Sequence, residues 1–367
     1  MQGAQSLRYL VAAHNTLVIR GPGSFQLLSG NASVLGARIG TNRRIVIRQE
    51  KQLPIETQSE TDLEILLGGE GEVFEVEGST IPNSWAAAAE ALTQLEQGKI
   101  IVIGPSDVGK SAFCTYLANS LMKERLRVRI LDGDIGQADI GPPTAIGSAI
   151  PTSPIYSLTD LNPEALLFVG DTTPSRVEAK LIEGIHRLGA ISQEELTIIN
   201  TDGWVLDPQA VLYKMKLVEA IKPDLVIGIS ASDELQPILS GSRAKCFQVR
   251  PPEQVLPRTR SDRRDLRTLQ YRKFLDGGTI KTMSTRDVIL KGPQGPISPQ
   301  DSKYKEHAGL ITGLLDQNGF MLQIGVTMNL EREFLKVYTR SIEKVSEVEF
   351  GQIRLTIDGM EVGYLEY

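Results

Sequence analysis

The sequence predicts an α/β protein in which a central parallel sheet, with helices on both faces, is flanked by small β-rich domains. Between about 93 and 275, short β-branched apolar runs alternate with segments of helical length, which is typical of parallel sheets. Outside this region the apolar runs are separated by Gly, Pro and Asn, as in antiparallel sheets. A chain of 367 residues usually forms two or three domains. We therefore expect domains at 1–92, 93–275 and 276–367.

The N-terminal domain is predicted to be a small β-sandwich or barrel. Runs such as 16–20 and 44–47 are bounded by turn residues and recur at near-regular spacing. Residues 63–67 and 72–76 flank the glycine-rich segment 68–71, which predicts a hairpin.

The central domain is predicted to alternate between strand and helix. Strands are expected at 99–103, 127–131, 165–169, 196–200, 225–229 and 246–249. Helices are expected near 111–124, 174–189, 208–221 and 233–239. In such sheets ligands bind at the carboxyl ends of the strands, so the residues that follow these strands are the site candidates.

The C-terminal domain is predicted to return to β structure. Asn318-Gly319 lies between two apolar runs, and Asp358-Gly359 precedes another short strand candidate. Asn-Gly and Asp-Gly are strong signals for tight hairpin turns. We therefore expect a hairpin at each pair.

Composition excludes several classes of protein. The net charge is −6, so nucleic-acid binding would need a local basic patch. Two cysteines and three scattered histidines lack metal-ligand spacing. Residues 1–15 show no signal-peptide pattern, and no apolar run approaches the roughly 18 residues of a membrane span. We expect a cytoplasmic protein with no membrane partner.

The strongest motif is a glycine-rich loop directly after the first central strand. It comprises Gly104, Pro105, Ser106, Asp107, Val108, Gly109, Lys110 and Ser111, and Ala112 follows it. The loop fits G-x-x-x-x-G-K-[ST], in which Lys110 reaches the β- and γ-phosphates and Ser111 holds Mg²⁺. Strand, loop and helix together aim backbone N–H groups at phosphate. A glycine turn that fits by chance is the alternative, but both flanks favour a P-loop nucleotide-binding domain.

Two carboxylates follow the second central strand. Asp132 and Asp134 are two residues apart, so in a strand they point to the same side. Beside a phosphate loop, such groups orient Mg²⁺ through its waters or accept a proton from an attacking hydroxyl. The alternative is that Asp-Gly-Asp only ends the strand as a turn.

Two further strand ends carry candidate binding residues. Trp204 offers a flat face for stacking a base, although a core tryptophan packed on the next helix is equally compatible with the sequence. Thr172 and Thr173 supply hydroxyls that either donate to phosphate or cap the helix expected at Pro174.

A basic segment lies between Arg243 and Lys273. It holds ten basic and three acidic residues. Ser261 is expected to cap a helix in which four arginines share one face; they are Arg260, Arg263, Arg264 and Arg267. Guanidinium groups suit phosphate, whereas the alternative is a solvated charged helix.

These residues together resemble the polynucleotide 5′-hydroxyl kinases of RNA processing, a P-loop kinase family. The family is related to the mRNA cleavage-and-polyadenylation factor subunit and to the ribosomal-RNA-processing kinases. The resemblance rests on 104–111, 134–137, 172–175, 200–204 and 258–267, which match in order and rough spacing. The short chain is similar to archaeal members.

The resemblance implies a role for each phosphate-side residue. Lys110 and Ser111 would serve the phosphates and Mg²⁺. Asp134 would be the general base and a metal-side acid, with Asp132 beside it. The cofactors implied are ATP or GTP and Mg²⁺.

The resemblance also implies how nucleic acid is held. Gln137, Thr172 or Thr173, and Trp204 would hold the 5′-terminal nucleotide. Arg263 and Arg267, with Arg258, would form a lid over the phosphates at 258–275. The N-terminal domain would help to hold adenine, through residues that the sequence does not identify. The partners implied are the 5′-hydroxyl end of RNA or DNA and RNA-processing proteins.

Two other functions compete with a kinase. A GTPase or ATPase switch of the metallochaperone or targeting type would need a Cys/His cluster or an Asn-Lys-x-Asp guanine motif, and the sequence has neither. A nucleotide-loaded scaffold in an RNA-processing complex would need no turnover. The intact Lys110, Ser111 and Asp134 favour the kinase over the scaffold.

Overall fold

The N-terminal region forms two antiparallel sheets in the computed structural model, which describes residues 5–41, 43–191, 195–255, 257–297 and 307–365. Its strands are β1 (Gln5–Val11), β2 (Thr16–Arg20), β3 (Gly23–Ser29), β4 (Ala32–Val34), β5 (Ala37–Arg38), β6 (Arg44–Ile47), β7 (Gln52–Thr57), β8 (Thr61–Leu67) and β9 (Glu72–Val76). The sheet orders are β1-β8-β3-β6 and β5-β4-β7-β2-β9. Alternate residues of both sheets, such as Ile55 and Ile65, share one apolar core, so the predicted β-rich region is confirmed.

The hairpin predicted around residues 68–71 is wrong. β8 pairs with β1 and β3, whereas β9 pairs with β2 in the other sheet. The glycine-rich segment instead connects one sheet to the other and packs closely on Pro22. The Gly68 N–H donates to the Pro22 carbonyl at 2.8 Å, and a side chain at Gly68 would collide with the Pro22 ring.

The central region is a seven-stranded sheet with helices on both faces. Its elements are α1 (Asn83–Leu92), β10 (Gly98–Ile103), α2 (Lys110–Lys123), β11 (Val128–Gly133), β12 (Ala145–Ala149), β13 (Ala165–Phe168), α3 (Glu178–Gly189), β14 (Leu196–Thr201), α4 (Pro208–Ile221), β15 (Leu225–Ile229), α5 (Gln236–Gly241), β16 (Lys245–Val249) and α6 (Arg260–Leu275). The strand order is β13-β12-β11-β14-β10-β15-β16. Helices α1 and α2 cover one face, and α3, α4 and α5 cover the other. The predicted fold class is confirmed.

The sequence misses one strand of this sheet. β12 runs antiparallel to both β11 and β13, so the sheet is mixed at this edge rather than wholly parallel. Its sequence, AIGSA, contains only one β-branched residue, and small residues carry little strand signal.

The C-terminal region is one antiparallel-rich sheet. Its strands are β17 (Thr279–Ser284), β18 (Ile289–Gly292), β19 (Gly295–Pro296), β20 (Leu310–Leu315), β21 (Met321–Leu330), β22 (Phe334–Thr339), β23 (Glu347–Leu355) and β24 (Glu361–Tyr364). Both predicted hairpins are confirmed, since β20 pairs with β21 and β23 pairs with β24. Phe168 of β13 and Tyr271 of α6 lie in the core that joins this sheet to the central domain.

Candidate functional site

The phosphate loop lies between β10 and α2, as the motif predicts. Gly109 has φ of +88°, and α2 begins at the next residue; a positive φ favours glycine here. The first helical bond runs from the Phe113 N–H to the Gly109 carbonyl at 2.8 Å. The N–H groups of the preceding three residues therefore have no acceptor within the helix, which is the arrangement that binds phosphate.

Lys110 rests on the loop itself. Its ammonium donates to the carbonyls of Gly104 at 3.0 Å and Pro105 at 2.7 Å. Two of its three N–H groups are thus engaged, which leaves one for a ligand. Burial lowers the pKa of Lys110, and the nearby carboxylate of Asp134 opposes this effect.

Asp134 lies at the turn after β11 and lines the cleft that contains the phosphate loop. Its Oδ1 accepts the N–H groups of Gly136 at 3.2 Å and Gln137 at 3.0 Å. Burial raises the pKa of Asp134, and Lys110 partly offsets the rise. The side chain is therefore a fixed carboxylate of raised basicity beside the lysine.

Asp132 lies one layer behind the cleft. Its Oδ1 accepts from Asn200 at 3.0 Å and from the Asp134 N–H at 3.3 Å. Its Oδ2 accepts the N–H groups of Asp139 at 2.6 Å and Ile140 at 3.2 Å. Burial, followed by the charges of Asp139 and Asp134, raises the pKa of Asp132. This side chain shapes the turn that carries the other two carboxylates.

Asp139 is a cleft residue that no motif in the sequence predicts. It lines the cleft together with Ser111 and accepts from the Lys51 ammonium at 2.7 Å. Burial would raise the pKa of Asp139, but Lys51 and Ser111 hold it below the usual value. Its position in the loop after β11, near Asp134, is the only sequence signal.

Trp204 lies in the loop that follows β14. Its indole is stacked on Tyr213 of α4, with ring centroids 5.6 Å apart and planes 22° apart, and its N–H donates to Asp207. The side chain also lines the cleft. It therefore packs on the following helix and faces the site as well, so each of the two interpretations describes part of its environment.

Asp202 holds this loop in place. Its Oδ2 accepts from the buried Lys214 ammonium at 2.8 Å and from the Tyr213 hydroxyl at 2.9 Å. Its Oδ1 accepts the Trp204 N–H at 3.0 Å. Between these residues Gly203 passes so close to the phosphate loop that a Cβ would lie 2.3 Å from Ser106 Oγ. The loop after β14 is thus fixed against the phosphate loop.

The two threonines after β13 are placed differently. Thr172 lines the cleft. The N–H of Thr173 donates to Asp171 at 2.8 Å, and a short 3₁₀ turn follows at Pro174–Arg176. The α-helix expected from residue 174 begins at Glu178 instead.

The basic helix α6 begins at Arg260 and is capped by Thr259, not by Ser261. The Thr259 hydroxyl accepts the Asp262 N–H at 3.2 Å, and the Asp262 carboxylate accepts the Thr259 N–H at 2.7 Å. This reciprocal pair is a capping box, which fixes the helix start two residues earlier than the sequence suggests.

Three arginines of this segment line the cleft. Arg263 donates to Asp107 of the phosphate loop at 2.6 Å. The backbone N–H of Arg258 donates to the same carboxylate at 3.2 Å, and its guanidinium donates to the Glu50 carbonyl. Arg267 lies in a two-point ion pair with Glu361. The predicted lid residues are therefore brought together with the phosphate loop.

One cleft of about 830 Å³ collects most of the predicted site, a size typical of ligand pockets. Its walls come from the phosphate loop, the acidic turn, α6 and the β6–β7 region of the N-terminal sheets. Five predicted site residues do not line it: Gly104, Pro105, Val108, Asp132 and Thr173. In the described ranges no helix has the length and apolar character needed to cross a membrane.

This fold and cleft define a P-loop nucleotide-binding protein with an acidic turn and a basic helix at its phosphate end. The family described as mRNA cleavage and polyadenylation factor CLP1 P-loop matches residues 104–277. This match and the similar proteins below confirm the resemblance that the motifs predict.

Several known proteins are similar to this one over most of its length. A polyribonucleotide 5′-hydroxyl-kinase of Pyrococcus horikoshii is 29% identical over 340 residues, which cover 78% of this chain and 94% of that protein. A protein of the same description from Methanocaldococcus jannaschii is 27% identical over 325 residues, which cover 73% of this chain and 90% of that protein. The solved structure of wild-type Clp1p in complex with Pcf11p superposes with a TM-score of 0.74 at 12% identity, covering 95% of this chain and 98% of that chain. The last similarity supports the fold.

Proposed function

We propose that this protein is a polynucleotide 5′-hydroxyl kinase, which transfers the γ-phosphate of ATP or GTP to the 5′-hydroxyl of RNA. The observation that carries the proposal is that one cleft holds a phosphate loop, a carboxylate of raised pKa and three arginines of the basic segment. The names of the similar archaeal proteins support the same reaction. We expect a cytoplasmic protein that works with RNA-processing proteins.

The triphosphate binds at the start of α2 in this proposal. The free N–H groups of the first helical turn face phosphate oxygens, and Lys110 exchanges its contacts with the Gly104 and Pro105 carbonyls for the β- and γ-phosphates. The cleft wall from the N-terminal sheets includes Arg48, Lys51 and Gln52. These residues are the ones that we assign to the base or ribose of the nucleotide.

The residues beside the phosphate loop fit Mg²⁺. Mg²⁺ prefers oxygen ligands, keeps several waters and is usually held by one or two carboxylates with substrate phosphates. Ser111, Asp134 and Asp139 line the same cleft and supply one hydroxyl and two carboxylates. When bound, the ion neutralises charge on the β- and γ-phosphates. Direct binding by Asp132 stays a prediction, and its four hydrogen bonds favour a positioning role.

Asp134 accepts the proton of the attacking 5′-hydroxyl. Both turn hydrogen bonds go to Oδ1, so Oδ2 is the oxygen that we assign to the substrate. Burial raises the pKa of this carboxylate, which makes it a stronger base than an exposed aspartate.

The lid and the tryptophan hold the two substrates. Arg263 and Arg267 neutralise the charge that develops on the transferring phosphoryl group, after Arg263 leaves Asp107. Thr172 and Gln137, which line the cleft, hold the 5′-terminal nucleotide, whose base stacks on Trp204. The tryptophan is fixed from behind by Tyr213, which lowers the entropy cost of stacking.

A nucleotide-bound scaffold or NTPase switch is the second candidate. The observation that favours it is that Lys110 is bound to loop carbonyls and Arg263 to Asp107, so both cations are engaged within the protein.

A substrate panel separates the two candidates. γ-Labelled ATP or GTP is incubated with Mg²⁺ and with RNA or DNA oligonucleotides that carry either a 5′-hydroxyl or a 5′-phosphate. We expect label only on 5′-hydroxyl RNA, and label on 5′-hydroxyl DNA would widen the substrate class. Equal labelling of 5′-phosphate RNA, or release of labelled phosphate without RNA labelling, contradicts the kinase.

A further inference from the structure

Glu361 is a residue of the C-terminal sheet that forms an ion pair with Arg267, an arginine that lines the cleft. It is the first residue of β24 and follows the turn at Asp358-Gly359. Its carboxylate accepts from Arg267 Nε at 2.6 Å and from Arg267 Nη2 at 2.8 Å. The two side chains are only 12% and 17% exposed, so solvent screens this pair less than a surface ion pair.

The turn before Glu361 is pressed against α6. Gly359 has φ of +81°, and a Cβ there would lie 2.8 Å from Tyr271 Cβ and 3.1 Å from the Thr268 carbonyl. The Arg264 guanidinium donates to the backbone carbonyl of Glu361. The position of Glu361 relative to α6 is therefore fixed by backbone packing as well as by its own charge.

The geometry of the pair leaves part of the guanidinium for substrate. A guanidinium has five N–H donors, and Glu361 uses one on Nε and one on Nη2. Nη1, and the second hydrogen of Nη2, are not part of the pair. Arg267 also lines the cleft, so a phosphate can bind the remaining edge while Glu361 holds the opposite one.

We infer that Glu361 is a positioning residue, through which the C-terminal sheet orients Arg267 for phosphoryl transfer. The inference rests on the proposed function. A guanidinium held in place needs no reorganisation when charge develops on the phosphoryl group, which is where such a group contributes most to catalysis. Loss of the carboxylate leaves the arginine charged but unoriented, so turnover falls while ground-state binding of either substrate is kept.

The test is a double-mutant cycle in the full chain. We expect Glu361→Gln to lower kcat by about tenfold or more, with KM values for ATP and RNA within about twofold. Arg267→Ala should lower kcat further, and adding Glu361→Gln to it should change kcat by less than about twofold, because the carboxylate acts through the arginine. Glu333→Gln, which removes the exposed pair with Arg286 in the connections beside β22 and β17, is the matched control and should keep wild-type kcat.

Several results overturn the inference. One is an unchanged or increased kcat in folded Glu361→Gln. Another is that Glu361→Gln lowers kcat by the same factor whether residue 267 is Arg or Ala. The third is a change confined to KM. If Glu361→Gln does not fold, Glu361→Asp carries the same test, because it keeps the charge but withdraws the two-point contact. Lower kcat with unchanged KM is then expected, and full kcat overturns the inference. Absence of RNA phosphorylation by the wild type would instead contradict the proposed function.

Discussion

The buried Lys214–Asp202 pair gives a stability prediction. The Lys214 side chain is 0% exposed and that of Asp202 is 4% exposed. Lys214 donates to the Asp202 carboxylate at 2.8 Å and to its backbone carbonyl at 3.0 Å. Lys214→Met keeps the apolar stem but leaves a buried carboxylate without its counter-charge. Removing one partner of a buried ion pair costs about 3–5 kcal/mol, and we expect the free energy of unfolding to fall by that amount.

The assay is urea denaturation followed by tryptophan fluorescence. The chain has two tryptophans: Trp85 is buried in α1, and the Trp204 backbone N–H donates to Asp202, so the signal reports on both places. Lys216→Met, which changes an exposed lysine of the same helix, should stay within about 0.5 kcal/mol of wild type.

The double variant identifies the cause of the loss. Adding Asp202→Asn to Lys214→Met removes the orphan charge and should recover part of the stability. A loss below about 1 kcal/mol for Lys214→Met, or strict additivity in the double variant, would refute the reasoning that the pair is a compensated buried charge.

Three further predictions concern the reaction. Because burial raises the pKa of Asp134, kcat/KM should rise with pH through that raised pKa as the base loses its proton. Asp134→Asn should abolish this rise and lower turnover on the order of 10²-fold or more. A greater loss of turnover in Asp132→Asn than in Asp134→Asn would reverse the two roles. Trp204→Ala should weaken oligonucleotide binding by roughly 1–3 kcal/mol without changing ATP affinity in a titration, whereas an unfolded variant would show that the side chain serves the core. Arg263→Ala should lower kcat at saturating RNA and ATP by at least about tenfold, with poor rescue by Arg263→Lys because lysine lacks the planar fork; full turnover with only a weaker apparent RNA affinity would leave the arginine as a simple RNA contact.

Local motifs of the site are predictable from the sequence because their chemistry depends on neighbouring residues. The phosphate loop needs two glycines, Lys110 and Ser111 between a buried strand and a helix, and all of these lie within one short segment. The acidic turn at Asp134 and the arginines of α6 follow from the same kind of local pattern. The periodicity of apolar residues likewise predicts most of the central strands.

Partners that are distant in the sequence are not predictable in this way. The Asp139 carboxylate accepts a hydrogen bond from Lys51, which is 88 residues away, and Arg267 is paired with Glu361, which is 94 residues away. No spacing rule links such residues before the sheets are packed. The hairpin expected around 68–71 fails for a related reason, since a glycine-rich connection predicts a turn but not which sheet the next strand joins.

The central claim is that the γ-phosphate leaves the nucleotide and becomes bonded to the RNA 5′ oxygen. The most direct measurement is a single-turnover reaction of enzyme, ATP, Mg²⁺ and 5′-hydroxyl RNA, with RNA and nucleotide products identified by mass spectrometry. We predict that the RNA gains one phosphate at its 5′ end, that ADP forms in equal amount, and that folded Lys110→Ala forms neither. ADP and free phosphate with unchanged RNA, or full product formation by Lys110→Ala, would contradict the claim.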